Sequence, residues 1–460
     1  MAESILPKEF SHLESISPID GRFRGNVQEC SQYFSEMATE KFRVEVEIKY
    51  LIAIANLLQK KKIPTTDEKL MLDIIKDFSL DDASWIEKKD LEINHDTKSV
   101  EYFIQEKLKQ KNIEKYLSYI HFGLTSADSD NNGVVLSVKR FEEEILSKKR
   151  KEILNSLRNF IESNKISIFI GRTHGKIAMP TSMSKEFANF YMRLKKIDKD
   201  ILSHKFEGKI TGALGNWNAL SVSYPEINWV KFSKEFVSSL DLIPNMFTTQ
   251  ILPYDNLIKY YNFNYQFNSV LISLCRDIWA YISYGYLKLK VIKEEVGSST
   301  MPHKVNPISY EGCESNLLLA NSQFENYARL LSSNRLQRDL TDKYISRGFG
   351  VPFAESLLGY KMLLGGLNII YFDTDFANSE MELHWEVLTE AVQTILRKRK
   401  YLFAYEKTKD LTRGKTLNNT EYIDMINSLE GIDDETKNLL MGLNPKEYIG
   451  WAQTIVEEIK

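Results

Sequence analysis

Proline is scarce in this 460-residue chain and very unevenly placed. Only 11 occur, and none lies between Pro64 and Pro180 or between Pro352 and Pro445. A proline in a helix interior removes a backbone donor and clashes with the preceding turn, at about 3 kcal/mol each. Such long proline-free tracts predict an all-α chain. The apolar spacing agrees: Ile48, Leu51, Ile52, Ala55 and Leu58 recur at the interval of one helical face. Phe267, Val270, Leu271, Leu274 and Ile278 do the same, within a stretch free of Pro and Gly from Asp255 to Tyr284. At the α-helical rise that stretch reaches roughly 45 Å, a length typical of bundles that also bury surface between subunits. Strand alternation is scarce, with Ile166 to Gly171 a short apolar run and Gly208 to Trp217 a Gly-rich connection. The chain exceeds the usual single-core limit of about 250–300 residues. The expected organisation is an N-terminal helical unit over residues 1–115, a central long-helix unit over 116–369 and a C-terminal helical unit over 370–460.

The balance of 43% hydrophobic and 27% charged residues suits a globular protein and disfavours disorder. A formal charge of −3 exerts no long-range pull on nucleic acid or acidic membranes, so an anionic ligand must be held by local cations. Cys30, Cys275 and Cys313 are an odd number with no CxxC spacing, which predicts buried reduced thiols rather than a disulfide framework or zinc site. The N-terminus lacks a basic segment followed by an apolar one, and no run of 18 uncharged apolar residues occurs. A cytoplasmic protein is expected, with neither membrane nor nucleic acid as partner.

In a helical scaffold, chemistry concentrates in the polar joints between helices. Five stand out. Gly297-Ser298-Ser299-Thr300-Met301-Pro302-His303-Lys304-Val305-Asn306-Pro307 combines two prolines with hydroxyls, an imidazole, an ammonium and an amide. It breaks any helix and offers a surface for a carboxylate, where a mere linker would seldom gather so many functional groups. Gly171-Arg172-Thr173-His174-Gly175 places a histidine that is either structural or a general acid, with Pro180 expected to open a helix soon after. His121-Phe122-Gly123-Leu124-Thr125-Ser126-Ala127-Asp128 reads as a helix N-cap or as an anion site at a helix start. Asn94-His95-Asp96 is a surface pair or an oriented imidazole. Ser17-Pro18-Ile19-Asp20-Gly21-Arg22-Phe23 sets an arginine at a loop tip. No GxxxxGK[ST], GxGxxG after a strand, HExxH or GxSxG is present.

Together these joints resemble the fumarase/aspartase superfamily, whose shared signature is a GSSxMPxKxN loop that Gly297 to Pro307 matches throughout. The segments SPIDGRF, NHD, HFGLTSAD, RTHGK, TTQILPYD, GSSTMPHKVNP and QRDLTD follow in that order from residue 17 to residue 342. Within the superfamily they are similar to the branch that splits fumarate from adenylosuccinate and from SAICAR in purine biosynthesis. The resemblance implies three helical domains, a twenty-helix core in a homotetramer, and active sites each built from three subunits. It also implies that neither a metal nor an organic cofactor is used. Carried onto this chain, His174 is the expected general acid and Ser298 the expected general base.

The same resemblance marks the substrate-binding positions. Near the start they are Arg22 and Phe23, then Asn94, His95 and Asp96, then His121, Thr125 and Ser126. Gln250 follows, with Ser299, Lys304 and Asn306 of the signature loop, and finally Arg338, Lys343, Ser346 and Arg347. Phosphate would fall to Arg22 and Arg347, with Arg172 and Lys304 as further local cations. In a β-elimination, negative charge builds on the carboxylate beside the carbon that loses its proton. Preorganised donors there are expected to dominate, and Thr125, Ser126, Ser299, Lys304 and Asn306 are the candidates. The chain departs from the pattern at Phe23, where Tyr is frequent, at Gly312-Cys313, where bacterial relatives tend to carry Asn, and at Lys343, where Ser is common. A sister activity such as argininosuccinate cleavage, or an inert structural protein of the same fold, are the alternatives. The nucleotide-facing SPIDGRF and the intact His174, Ser298, Lys304 and Asn306 weigh against each.

Overall fold

A computed structural model describes residues 11–291 and 300–459. Ser298 and Ser299 of the signature loop lie outside the described residues. The described chain is all-α, with strands confined to three short two-stranded pairings. It divides into two compact units, Met1–Arg150 with Ile197–Ser269 and Asn316–Gly359, and Lys151–Lys196 with Val270–Ser315 and Tyr360–Lys460.

The first unit is organised around the helix Glu36–Leu58, which Ser35 caps by accepting the Ala38 N–H at 3.1 Å. It packs against the helices Thr65–Lys76, Leu80–Ile93, Asp96–Gln110 and Ser126–Phe141. Ile48, Leu51, Ile52 and Ala55 are buried as their spacing predicts, but so are Val44, Val46, Tyr50 and Ile54. The helix is therefore covered on every side, a situation that a one-face pattern understates. Burial of each large apolar side chain contributes about 1.5–3 kcal/mol, so this helix anchors the unit. Its three buried charges, Arg43, Glu45 and Glu47, must accordingly be paired inside the protein.

In the second unit a β-hairpin of Ile168–Thr173 and Lys176–Ser182 stands among helices. Here the structure corrects an expectation: Pro180 does not open a helix. It pairs opposite Ile170 in the hairpin, and the next helix starts at Met183 with Ser182 Oγ accepting the Lys185 N–H at 3.2 Å. Proline fits both a first helical turn and an edge strand, because neither position needs its missing N–H. The hairpin joins a core of Ile170, Met381, Trp385, Leu388, Val392, Tyr422 and Ile426.

The helix Asp255–Tyr284 begins and ends where the Pro- and Gly-free stretch does, and its predicted apolar face is buried. The helix Ile308–Leu331 opens directly after Pro307. Cys30, Cys275 and Cys313 are all buried and form no disulfide. Among the described residues, no helix is long and apolar enough to cross a membrane, and no three His, Cys, Asp or Glu side chains cluster as metal ligands do.

Candidate active site

His174 and Gly175 form the two-residue tip of the hairpin, and both adopt left-handed backbone, with φ of 53° and 73°. That pair of angles is the turn favoured by the twist of antiparallel strands. Glycine enters it freely, whereas an L side chain at His174 is strained by about 1–2 kcal/mol. The imidazole is exposed at the tip, and no described side chain hydrogen-bonds it. Two residues earlier Arg172 is fully engaged. It donates to Tyr286 Oη at 2.7 Å and to Glu380 Oε1 at 2.6 Å, and its guanidinium lies 4.3 Å from the Tyr284 ring centroid. Arg172 is thus committed within the protein rather than held ready as a local cation.

In the first unit, four stretches distant in sequence meet in a network of charges. Arg43 reaches Asp130 at 2.7 Å, Glu40 at 2.7 Å and Asp96 at 3.1 Å. Lys343 Nζ lies 2.7 Å from Asp96 and 3.1 Å from Asp130. Arg347 is half-exposed and, among the described residues, makes only long pairings, 3.7 Å to Glu36 and 3.9 Å to Asp96. Burial opposes the charge on Asp96, yet Arg43 and Lys343 outweigh it and hold the carboxyl well below its ordinary range. Burial pushes the Glu40 carboxyl up to about 7; Arg43 opposes the rise, and the nearby carboxylates of Asp96, Glu36 and Asp130 add to it. A cavity of about 250 Å³ opens beside this network, lined by Arg43, Asp130, Arg338, Lys343, Ser346 and Arg347 among others. Arg338 is braced by Asp342 at 3.1 Å, which in turn accepts from Tyr254 at 2.9 Å. Lys343 therefore does what a serine cannot: it joins Arg43 in placing positive charge against Asp96 and Asp130.

His121 is held by Glu47 at 2.7 Å, and Ser129 Oγ donates to the same Glu47 oxygen. Burial lowers the tendency of His121 to carry charge, but Glu47 outweighs it and raises its pKa. Thr125 is the N-cap of the helix Ser126–Phe141, its N–H bonded to Asp128 at 3.0 Å, so the capping reading of this segment holds. Asp128 also accepts from the Thr211 and Gly212 N–H groups at 3.1 and 3.2 Å, and pairs with the fully buried Lys209 at 2.9 Å. Lys209 reaches on to the carbonyl of Gln250. The Gln250 side chain donates to the Ala213 carbonyl at 3.1 Å.

Asn94 takes the left-handed position that ends one helix, and His95 caps the next by accepting the Lys98 N–H at 3.1 Å. Arg22 is exposed in a turn, 6.0 Å from the ring of Phe23. Lys304 is exposed and Asn306 half-buried just ahead of the helix that starts at Ile308. Ser346 Oγ turns back to the Lys343 carbonyl at 3.0 Å. The sequence reading missed Arg43, Glu47 and Asp130. Their signal was available: Arg43, Glu45 and Glu47 interrupt an apolar helical run, and a charge buried there must have partners.

Comparison with known proteins decides the family. Residues 21–318 match the family model described as Lyase, and residues 334–449 match the one described as Adenylosuccinate lyase C-terminal. An adenylosuccinate lyase of Dictyostelium discoideum is 42% identical over 455 residues, spanning 96% of this chain and 97% of that protein. Another, from Buchnera aphidicola, is 39% identical over 456 residues, 98% of this chain and all of that protein.

The chain belongs to the adenylosuccinate lyase family.

Its fold is shared more widely. The crystal structure of a fumarate lyase from Mesorhizobium sp. BNC1 superposes with a TM-score of 0.74 at 16% identity, covering 94% of this chain and 96% of that one. As an adenylosuccinate lyase family member the chain is a lyase. Within the first unit the structure divides the family's expected positions into separate groups. Asp96, Lys343 and Arg347 share one charge network, and Arg338 and Ser346 join Lys343 and Arg347 along its cavity. His121, by contrast, is tied to Glu47, and Gln250 to the Asp128–Lys209 pair.

Proposed function

We propose that this chain catalyses the β-elimination of fumarate from adenylosuccinate, leaving AMP, and from SAICAR, leaving AICAR. The observation that carries this reading is about 40% identity to adenylosuccinate lyases along nearly the whole chain, with the superfamily signature intact from Gly297 to Pro307. The reaction needs an acid for the departing purine-side nitrogen and a base for the carbon next to a carboxylate. His174 is the acid in this reading. It sits at an exposed hairpin tip with no competing partner among the described residues, and proton donation of this kind contributes about 10²–10⁴ in rate. Ser298 is the base, which requires desolvation and a nearby ammonium such as Lys304 to favour its alkoxide. Thr125, Ser126, Ser299, Lys304 and Asn306 stabilise the developing charge, and Arg22 and Arg347 take the phosphate. Arg347 suits that role, being half-exposed and only distantly paired. The reading includes a cytoplasmic homotetramer of three-domain protomers, with each site shared among three of them.

The test is direct. Purified protein is mixed separately with adenylosuccinate, argininosuccinate and malate, and fumarate absorbance is followed in the ultraviolet. Fumarate released from adenylosuccinate alone supports the reading; release from argininosuccinate or malate instead assigns a sister activity.

A further inference from the structure

We infer that Glu380 and Tyr286 are positioning residues for His174, acting through Arg172; the inference rests on the role proposed for His174. The hairpin needs such support. Its pairing runs regularly from Ile168 opposite Ser182 to Ile170 opposite Pro180, then breaks. It resumes with only two pairs, Arg172 opposite Ile177 and Thr173 opposite Lys176. Across the break Gly171 alone spans what Ala178 and Met179 span on the other strand, an irregularity of the kind that re-aims a strand. Pro180 beside it has no N–H to donate to the ladder. A left-handed histidine beyond this break persists only where its surroundings over-determine it.

Arg172 supplies that constraint. Its two terminal nitrogens are split between Tyr286 Oη at 2.7 Å and Glu380 Oε1 at 2.6 Å, and its face lies against the Tyr284 ring. Tyr286 Oη is also within 3.0 Å of the Ile170 carbonyl and within reach of the other Glu380 oxygen; its single proton serves one of them at a time. The clamp thus grips the hairpin on both sides of the irregular step, at Ile170 and at Arg172. Glu380 comes from the helix Thr374–Glu382, which packs directly on the first strand, and Tyr286 precedes the strand Leu287–Leu289. Both anchors lie far along the chain from the tip they hold. A planar guanidinium with two fixed bonds defines direction as well as distance, which a lysine in its place would not.

The experiment uses the full-length chain carrying Tyr286→Phe, Glu380→Gln, or both. Hydrogen exchange read by mass spectrometry over residues 168–182 is expected to speed up at Thr173–Lys176 in each variant, with the helix Asp255–Tyr284 unchanged. Turnover of adenylosuccinate is expected to fall about tenfold to a hundredfold in kcat with KM nearly constant, the size of loss that small misplacement of a reacting group produces. The double variant should be no worse than the poorer single one, because both act through Arg172. Unchanged tip exchange, or a kcat that holds while the tip loosens, would overturn the clamp. A wild type inert on adenylosuccinate would instead overturn the proposed reaction, while the exchange measurement still decides the clamp.

Discussion

Glu47, buried in the middle of the helix Glu36–Leu58, holds the imidazole of His121 at 2.7 Å and receives the Ser129 hydroxyl on the same oxygen. An acid in that position is kept from water, so its charge is matched by whatever proton the imidazole carries.

The first prediction concerns that pair. Burial works against a protonated His121 and Glu47 more than offsets it, so the folded pKa lies above the unfolded one. A raised histidine stabilises fully below its unfolded pKa of about 6.5 and loses that contribution as pH rises through the folded value. Glu47→Gln should lower the titration midpoint of His121 in NMR. The stability gap between wild type and variant should narrow as pH rises above about 6.5. An unmoved midpoint would contradict the pairing.

Lys343 gives the second. Replacing it with Ser, the residue common in relatives, leaves Asp96 and Asp130 with Arg43 as their main counter-ion. Removing one partner from a largely buried charge pair costs about 3–5 kcal/mol, and the partial exposure of Lys343 places the expected loss below that range. Adding Asp130→Asn should recover part of it. Urea unfolding of the two single variants and the double variant measures the coupling; strict additivity would show that Lys343 and Asp130 do not depend on each other.

Glu40 supplies a pH dependence of opposite origin. Its carboxyl is raised to about 7, so the folded state holds a proton that the unfolded state has lost. Stability from this group is present below the unfolded carboxylate pKa and declines as pH climbs from about 4.5 to 7, by about 3 kcal/mol. Glu40→Gln should therefore match wild type near pH 4.5 and be more stable at pH 8. Equal melting temperatures for the two proteins at pH 8 would count against a raised Glu40 carboxyl.

The shared site of the proposed function yields the fourth. His174→Asn keeps a residue that tolerates left-handed backbone, so it removes the acid with little disturbance of the turn. His174→Asn and Ser298→Ala should each be nearly inactive, and refolding them together should restore part of the activity. A mixture that forms tetramers yet stays as inert as its parents would show that these two groups come from one protomer.

How much of this was legible in the sequence depends on how local each cause is. The helix Asp255–Tyr284 was readable to its ends, because its limits are set by the nearest residues that break helices. The hairpin around His174 was not. Its strands are short, one contains Pro180, and the Pro-Thr-Ser run after RTHGK satisfies helix-start chemistry equally well. Thr125 as an N-cap was readable from the acid three residues on. The network around Lys343 was not, since nothing near Lys343 reveals that Asp96 and Asp130 fold onto it. Only the burial of charges in the Glu36–Leu58 helix hinted that distant partners existed.

That network imposes an order on biogenesis. Arg43 meets Asp96 across 53 residues and Asp130 across 87, whereas Lys343 reaches Asp96 across 247. A ribosome delivers the acids early and their ammonium only after most of the chain has emerged. Until then the nascent helices carry surplus negative charge at the very surfaces they must close, which delays docking and keeps the emerging segment hydrated. Truncations ending before residue 343 should for this reason behave as open, protease-sensitive chains rather than as finished domains.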